Sequence, residues 1–147
     1  MELAPRLASL VVKHGLSPSL LSDDDRSLLF ALAASAFEPR RIYREREVND
    51  VLTGWLTGTG SMLRVDHVEL RRWLVDARFI ARDPYGHAYV RSAEEARRAA
   101  ALLGGGDAVA LVRAVEAVRA EARQMREAKR RAFENRPAAR RDAANQM

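Results

Sequence analysis

The chain has 147 residues, 48% of them apolar and 31% charged, which suits one core of ordinary size with a helical appendage. It contains no cysteine, so disulfides, thiolate metal sites and a cysteine nucleophile are excluded. The longest apolar run, residues 28–37, is too short to span a bilayer, and no N-terminal stretch has the pattern of a signal peptide. The sequence therefore predicts a cytoplasmic protein without a membrane partner.

The formal net charge of +5 is unevenly distributed. Residues 1–91 carry 13 basic and 12 acidic side chains, whereas residues 92–147 carry 12 basic and 8 acidic ones. Within residues 123–141, eight basic side chains stand against only Glu127 and Glu134. Attraction for a polyanion is therefore predicted mainly for the C-terminal part of the chain.

Residues 1–22 are predicted to be a helical extension that precedes the main domain. Apolar positions recur at helical spacing over residues 2–14, and Gly15 ends that helix. Ser22 is predicted to cap a second helix, because the three aspartates that follow it suit a helix N-terminus. This second helix, which runs to about Ala36, is apolar on nearly every side, and such a helix is normally buried on more than one side.

The middle of the chain has the pattern of two helices followed by a β-ribbon. After a short extended piece at residues 41–43, the predicted segments are helices at 45–56 and 66–77 and strands at 79–82 and 87–91, with turns at 58–61 and 83–86. The turn Asp83-Pro84-Tyr85-Gly86 has the residues expected between two paired strands. This order predicts a mainly α protein with a small β-ribbon, in which residues 23–92 form a winged helix-turn-helix-like domain.

The helix predicted at residues 66–77 has a core face and an outward face on a helical wheel. The core face is predicted to hold Asp66, Leu70, Trp73, Leu74 and Ala77, and the outward face to hold Val68, Arg71, Arg72 and Val75. This outward face is the one that a recognition helix would offer to DNA.

Residues 93–135 are predicted to form C-terminal helices, and residues 136–147 a disordered tail. Ser92 and Glu95 have capping-box spacing, and the glycines at 104–106 are predicted to end the first helix as a hinge or linker. The second helix carries a heptad-like seam, which indicates either a homodimer or a helix that folds back on its own domain and covers Val68 and Val75. The predicted dimer or partner residues are Val68, Val75, Leu111, Val115, Val118 and Met125.

Basic residues of three elements are candidate contacts for double-stranded DNA. They are Arg71 and Arg72 on the helix, Arg82, His87 and Arg91 on the ribbon, and Arg123, Arg126, Lys129, Arg130 and Arg131 in the C-terminal part. The alternative is structural: the helix arginines pair with Glu69, Asp76 or Glu45, Arg82 pairs with Asp83, and the basic end is a solvated surface.

An ordered set of motifs resembles one bacterial family. The residues that carry the resemblance are Phe37, Arg41, Tyr43, Glu45, Glu47, Val48, Asn49, Leu52, Asp66, Leu70-Arg71-Arg72, Leu74-Val75-Asp76, Phe79, Arg82, Gly86, Tyr89 and Arg91. They are similar to an uncharacterised winged-helix-like domain that occurs alone or fused C-terminal to ArsR-type regulators, and they cover about residues 25–92. Arg44 departs from the pattern, because the family often has Thr or Ser there as a helix cap. The resemblance implies a winged-helix-like fold and a transcription-related context.

No pattern of enzymatic, metal or small-molecule chemistry stands out. The three histidines lie on separate predicted elements, and neighbouring helix positions such as Asp66 and His67 point about 100° apart. We therefore expect no enzyme activity, cofactor, metal or small-molecule ligand. The predicted function is a DNA-binding, transcription-associated protein whose basic helical end serves dimerisation or phosphate contact. The alternative is a protein–protein interaction module without nucleic-acid binding.

Overall fold

The computed structural model describes residues 1–136 as a mainly helical chain with a small antiparallel sheet. Its elements are helices α1 (Pro5–Val11) and α2 (Asp23–Ala34), strand β1 (Ile42–Arg44), helices α3 (Glu45–Thr57) and α4 (His67–Asp76), strands β2 (Ala81–Arg82) and β3 (Ala88–Val90), and helices α5 (Ala93–Leu103) and α6 (Ala108–Glu134). A short 3₁₀ turn, Pro18–Leu20, joins α1 to α2. The fold class predicted from the sequence is confirmed, and the predicted tail at residues 137–147 lies outside the described residues.

Local capping signals set the start of four helices. The side chains of Ser22, Asp66, Ser92 and Asp107 each accept a hydrogen bond from the backbone N–H three residues later. Glu95 completes the predicted capping box, because its Oε1 accepts from the N–H of Ser92 at 2.9 Å. These bonds satisfy N–H groups that a helix N-terminus otherwise leaves without a partner.

The sheet has three strands in the order β1-β3-β2, so the predicted ribbon gains a third strand. Strand β3 is central: Tyr43 of β1 lies opposite Tyr89, and Arg82 of β2 pairs with Tyr89 from the other side. The segment predicted only as extended chain therefore closes the sheet. The phenol oxygen of Tyr43 accepts from the Glu38 N–H at 2.8 Å, and its ring meets Phe37 edge-on, which fixes the loop before β1.

Helix α2 lies at the centre of the molecule, as its apolar sequence predicted. It packs against α1, α4 and α5, and every residue from Leu29 to Ala34 is buried. The Phe30 ring lies 5.6 Å from that of Trp73 and 6.5 Å from that of Phe79. These contacts join α2 to the end of α4 and to the residues that lead into β2.

Helix α6 folds back on its own chain through its first half. Leu111 and Val115 are buried, with exposed fractions of 2% and 0%, because α6 packs against α1. The prediction that these two residues form a dimer seam is therefore wrong. The helix packs on its own chain, but it does so against α1, and Val68 stays 41% exposed. Among residues 1–136, no helix is both long and apolar enough to cross a membrane.

Candidate nucleic-acid interface

Helix α4 buries one face and leaves the opposite face accessible. Leu70 and Leu74 are completely buried, which agrees with the helical wheel. On the outward side, Val68 is 41% exposed and Arg72 is exposed, whereas Val75 is half-buried against the core. The predicted outward face is therefore present, although Val75 offers less surface than expected.

Arg71 is held within the domain. Its guanidinium makes an ion pair with Glu45 Oε1 at 3.0 Å, donates to Asn49 Oδ1 and lies 5.9 Å from the centre of the Tyr89 ring. Only 16% of its side chain is exposed. Arg71 thus joins α4 to α3 and to the sheet, as the structural alternative with Glu45 anticipated. We consequently assign it a positioning role.

A groove of about 300 Å³ separates α4 from the sheet. Its lining residues are Val68, Arg71, Arg72, Val75, Asp76, Arg82 and Tyr89. Arg72 and Arg82 are exposed, and their side chains have neither an ion pair nor a hydrogen bond with any residue in the described range 1–136. The fold therefore brings one arginine of the helix and one of the ribbon to the same groove with their guanidinium groups unused.

The ribbon turn is stabilised by Asp83, which does not pair with Arg82 as the alternative supposed. Asp83 Oδ1 accepts from the backbone N–H of His87 at 2.7 Å. Burial raises the pKa of the Asp83 carboxyl, but hydrogen bonds from the backbone of His87 and Ala88 outweigh it and leave that pKa below its usual value. Tyr85 and His87 are both exposed at the tip of the turn. Their rings stack on each other, with 6.2 Å between the ring centroids.

Arg91 is not a surface residue, and its prediction as a nucleic-acid contact is wrong. Its exposed fraction is 7%, and its Nη1 donates to the carbonyl oxygen of Phe37 at 3.2 Å. Burial lowers the pKa of this guanidinium from its usual value. Arg91 shares strand parity with the buried Tyr89, so the alternation of β3 carried a signal that it points inward.

The comparisons bear on this same part of the chain. Residues 21–91 match the model of a family described as "Uncharacterized protein conserved in bacteria (DUF2087)". This segment is similar to that family. No curated protein and no solved structure shows significant similarity to the chain. The family segment, residues 21–91, runs from just before α2 to just after β3, so it contains the groove. The resemblance to an uncharacterised bacterial family, predicted from the sequence, is confirmed. Fusion to ArsR-type regulators stays a prediction.

The predicted basic contacts of α6, which are Arg123, Arg126, Lys129, Arg130 and Arg131, lie outside the family segment and are exposed. Arg130 pairs with Glu134 at 3.8 Å and Arg131 with Glu127 at 3.6 Å, which are one-turn surface pairs. Lys129 is exposed between them. Arg123 and Arg126 instead face a cleft shared with the end of α1. Arg140 and Arg141, the last members of the basic run, lie outside the described residues.

The remaining predicted partner residues lie further along the same seam. Val118 is half-buried and packs against the core, whereas Met125 is 56% exposed beyond the part of α6 that covers α1. The apolar seam of α6 is thus packed against its own chain up to about residue 118, and beyond that point it is exposed to solvent. Among the residues that the structure describes, no three His, Asp or Glu side chains are grouped to bind a metal.

Arg119 has an important structural role that the sequence did not reveal. Its Nε donates to the carbonyl oxygen of Val11 at 2.9 Å, its Nη1 to that of Gly58 at 3.1 Å, and its Nη2 to that of Thr59 at 2.8 Å. Burial lowers the pKa of its guanidinium, and the charge of Arg123 lowers it further. Arg119 thereby fastens α6 to the end of α1 and to the turn between α3 and α4.

Proposed function

We propose that the chain is a DNA-binding, transcription-associated protein that places α4 against duplex DNA. The observation that carries the proposal is the pair Arg72 and Arg82, two unpaired guanidinium groups that face one groove from a helix and from a β-ribbon. The element order supports it as well, because helix, strand, two helices and a ribbon is the order of a winged-helix-like domain.

The chemistry of this face favours phosphate contacts over base reading. Arg71 is committed to Glu45 and Asn49, and Asp76 lies in the same groove as Arg72. One free arginine on the helix is a small set for reading base edges, whereas Arg72 and Arg82 together can neutralise phosphates. We therefore infer affinity that depends strongly on salt and weakly on base sequence.

The exposed basic residues of α6 extend this electrostatic surface. Arg123, Arg126 and Lys129 have no ion pair among residues 1–136, while Arg130 and Arg131 pair only with acids one turn away on the same helix. Such one-turn pairs are weak, so these cations can exchange their partners for phosphates. His87 at the tip of the ribbon is a further candidate contact.

A salt titration of duplex binding tests the proposal. Fluorescence anisotropy with random duplex DNA measures the slope of log K against log salt, to which each phosphate contact contributes about 0.9. We expect the Arg72→Gln/Arg82→Gln double variant to lower that slope by about 1.8. The matched control is Arg97→Gln/Arg113→Gln, which removes two exposed arginines of α5 and α6. Equal losses in both variants would contradict the role of the groove.

The second candidate is a protein-interaction module without nucleic-acid binding, and the exposure of Val68 favours it. The groove between α4 and the sheet has the exposed Val68 at its rim, and a helix or loop of a partner protein can cover this surface. A homodimer remains part of either proposal, and Met125, which is 56% exposed on the continuation of the seam, is free to contribute to it. Absence of DNA binding at low salt would favour this candidate.

Both candidates place the protein in the cytoplasm and give it no catalytic role. The groove presents arginines and valines, without an arrangement of nucleophile and base that a reaction would require. Binding, with DNA as the partner, is the function that this surface supports best.

A further inference from the structure

A second cleft lies where α6 crosses the end of α1, and it shares no residue with the groove beside α4. Its polar lining consists of Lys13, His14, Ser61, Arg119, Arg123 and Arg126. Its volume of about 180 Å³ is below that of pockets for drug-sized ligands and suits a small group. Three chain segments contribute to it: the end of α1, the turn before α4, and α6.

The side chains that line this cleft carry positive charge and no negative charge. No carboxylate lines it, and neither Lys13, Arg123 nor Arg126 forms an ion pair with any residue in the range 1–136. The nearby Asp25 is already engaged by Arg6 through two hydrogen bonds, at 2.8 and 2.5 Å. Glu116 acts on Arg119 and Asp25 on Lys13 from outside the cleft, so the cleft has no carboxylate within its own lining.

The spacing on α6 concentrates these charges on one face. Arg119, Arg123 and Arg126 follow one another at four and three residues, so their side chains lie along the same side of the helix. Like charges at this spacing destabilise a helix unless something neutralises them. Arg119 donates to three carbonyl groups and forms the fixed wall of the cleft. The N–H donors of the Arg123 and Arg126 guanidinium groups remain available to a ligand.

We propose that this cleft binds a phosphate group, with Lys13, Arg123 and Arg126 supplying charge and Ser61 a hydroxyl donor. The lining suits an oxyanion because it offers N–H and O–H donors from several directions. Metal cations are excluded by the same lining, which has no acidic oxygen. The phosphate belongs either to a nucleic-acid backbone or to a free phosphorylated compound, and the two sources share this chemistry.

Calorimetric titration of the full chain with inorganic pyrophosphate, at constant ionic strength, tests the site. Arg123→Gln/Arg126→Gln is expected to weaken pyrophosphate binding by at least about tenfold, because two charge-assisted hydrogen bonds are lost. The matched control, Arg97→Gln/Arg113→Gln, makes the same charge change at two exposed arginines outside the cleft and is expected to change affinity by less than about twofold. Thermal unfolding of each variant verifies that it is folded.

Two results would overturn the proposal: no saturable pyrophosphate binding by the wild-type chain, or equal losses in the two double variants. Lys13→Gln, at the exposed end of α1, provides an independent test if the α6 variant is unstable, and it should weaken pyrophosphate binding as well. Competition then identifies the source. Displacement of pyrophosphate by short duplex DNA indicates backbone phosphate, and its retention indicates a free phosphorylated ligand. Since Arg72→Gln/Arg82→Gln leaves this cleft intact, failure of the DNA proposal remains distinguishable.

Discussion

Replacing Arg119 with alanine should destabilise the fold more than replacing any of the exposed arginines of α6. The arginine donates to the carbonyl oxygens of Val11, Gly58 and Thr59, which lie 108, 61 and 60 positions before it in the sequence. Only the fold brings these segments to the side chain of Arg119. Hydrogen bonds to a charged group contribute about 1.5–3 kcal/mol when shielded from water.

The magnitude follows from the burial of each acceptor. Val11 is 2% exposed, so its carbonyl has little access to water after the arginine is removed and the full contribution is lost. Gly58 is exposed and Thr59 half-buried, so water replaces much of their bonds and about 0.5 kcal/mol each is lost. The expected decrease in the free energy of unfolding is about 2–4 kcal/mol, which corresponds to a melting temperature lower by about 5–10 °C.

Urea unfolding followed by tryptophan fluorescence measures this loss, since Trp55 and Trp73 both lie in the packed part of the chain. Arg113→Ala is the control, because Arg113 is exposed on the same helix and should change stability by less than about 0.5 kcal/mol. Arg119→Lys keeps the charge but loses the planar fork, so we expect it to retain less than half of the contribution. An Arg119→Ala chain as stable as the Arg113→Ala chain would refute the reasoning.

Two further substitutions test other contacts. The Arg6 guanidinium holds the pKa of Asp25 below its usual value, so this pair stabilises the fold above about pH 4 and loses its effect as the pH falls through the lowered pKa. Asp25→Asn should therefore flatten the decline of melting temperature on acidification. Gly60→Ala places a methyl group against the Trp55 ring and should lower the free energy of unfolding in urea by about 1–3 kcal/mol. Gly54→Ala meets open space within α3 and should be stabilising.

The features predicted correctly from the sequence depend on neighbouring residues. Ser22 and Ser92 cap helices through bonds that span three residues, and Leu70 and Leu74 follow from the period of one helix. Interactions of this kind involve residues only a few positions apart, so they can be predicted from a single sequence. The fold class and the outward face of α4 were therefore predictable.

The features that were missed depend on which distant segment becomes the neighbour. The heptad-like seam of α6 specifies an apolar stripe, but it cannot specify whether α1 or a second chain covers Leu111 and Val115. The pairing of β1 with β3 likewise joins positions 42–44 to positions 88–90. Arg119 is one arginine among many until the fold brings three carbonyl groups to it. Only the burial of Arg91 had an unused local signal, the alternation of β3.

The packing of α6 on α1 also bears on how the chain is synthesised. The two helices lie at opposite ends of the described residues, so α1 leaves the ribosome long before its partner helix exists. Until then, Leu7, Leu10 and Val11 lack the cover that α6 supplies, and part of their apolar surface stays open to other proteins. The family segment between them can condense first, and the late arrival of α6 then closes a contact of high sequence separation, which is slow to form. Truncation before α6 should consequently give a chain that needs chaperones during expression.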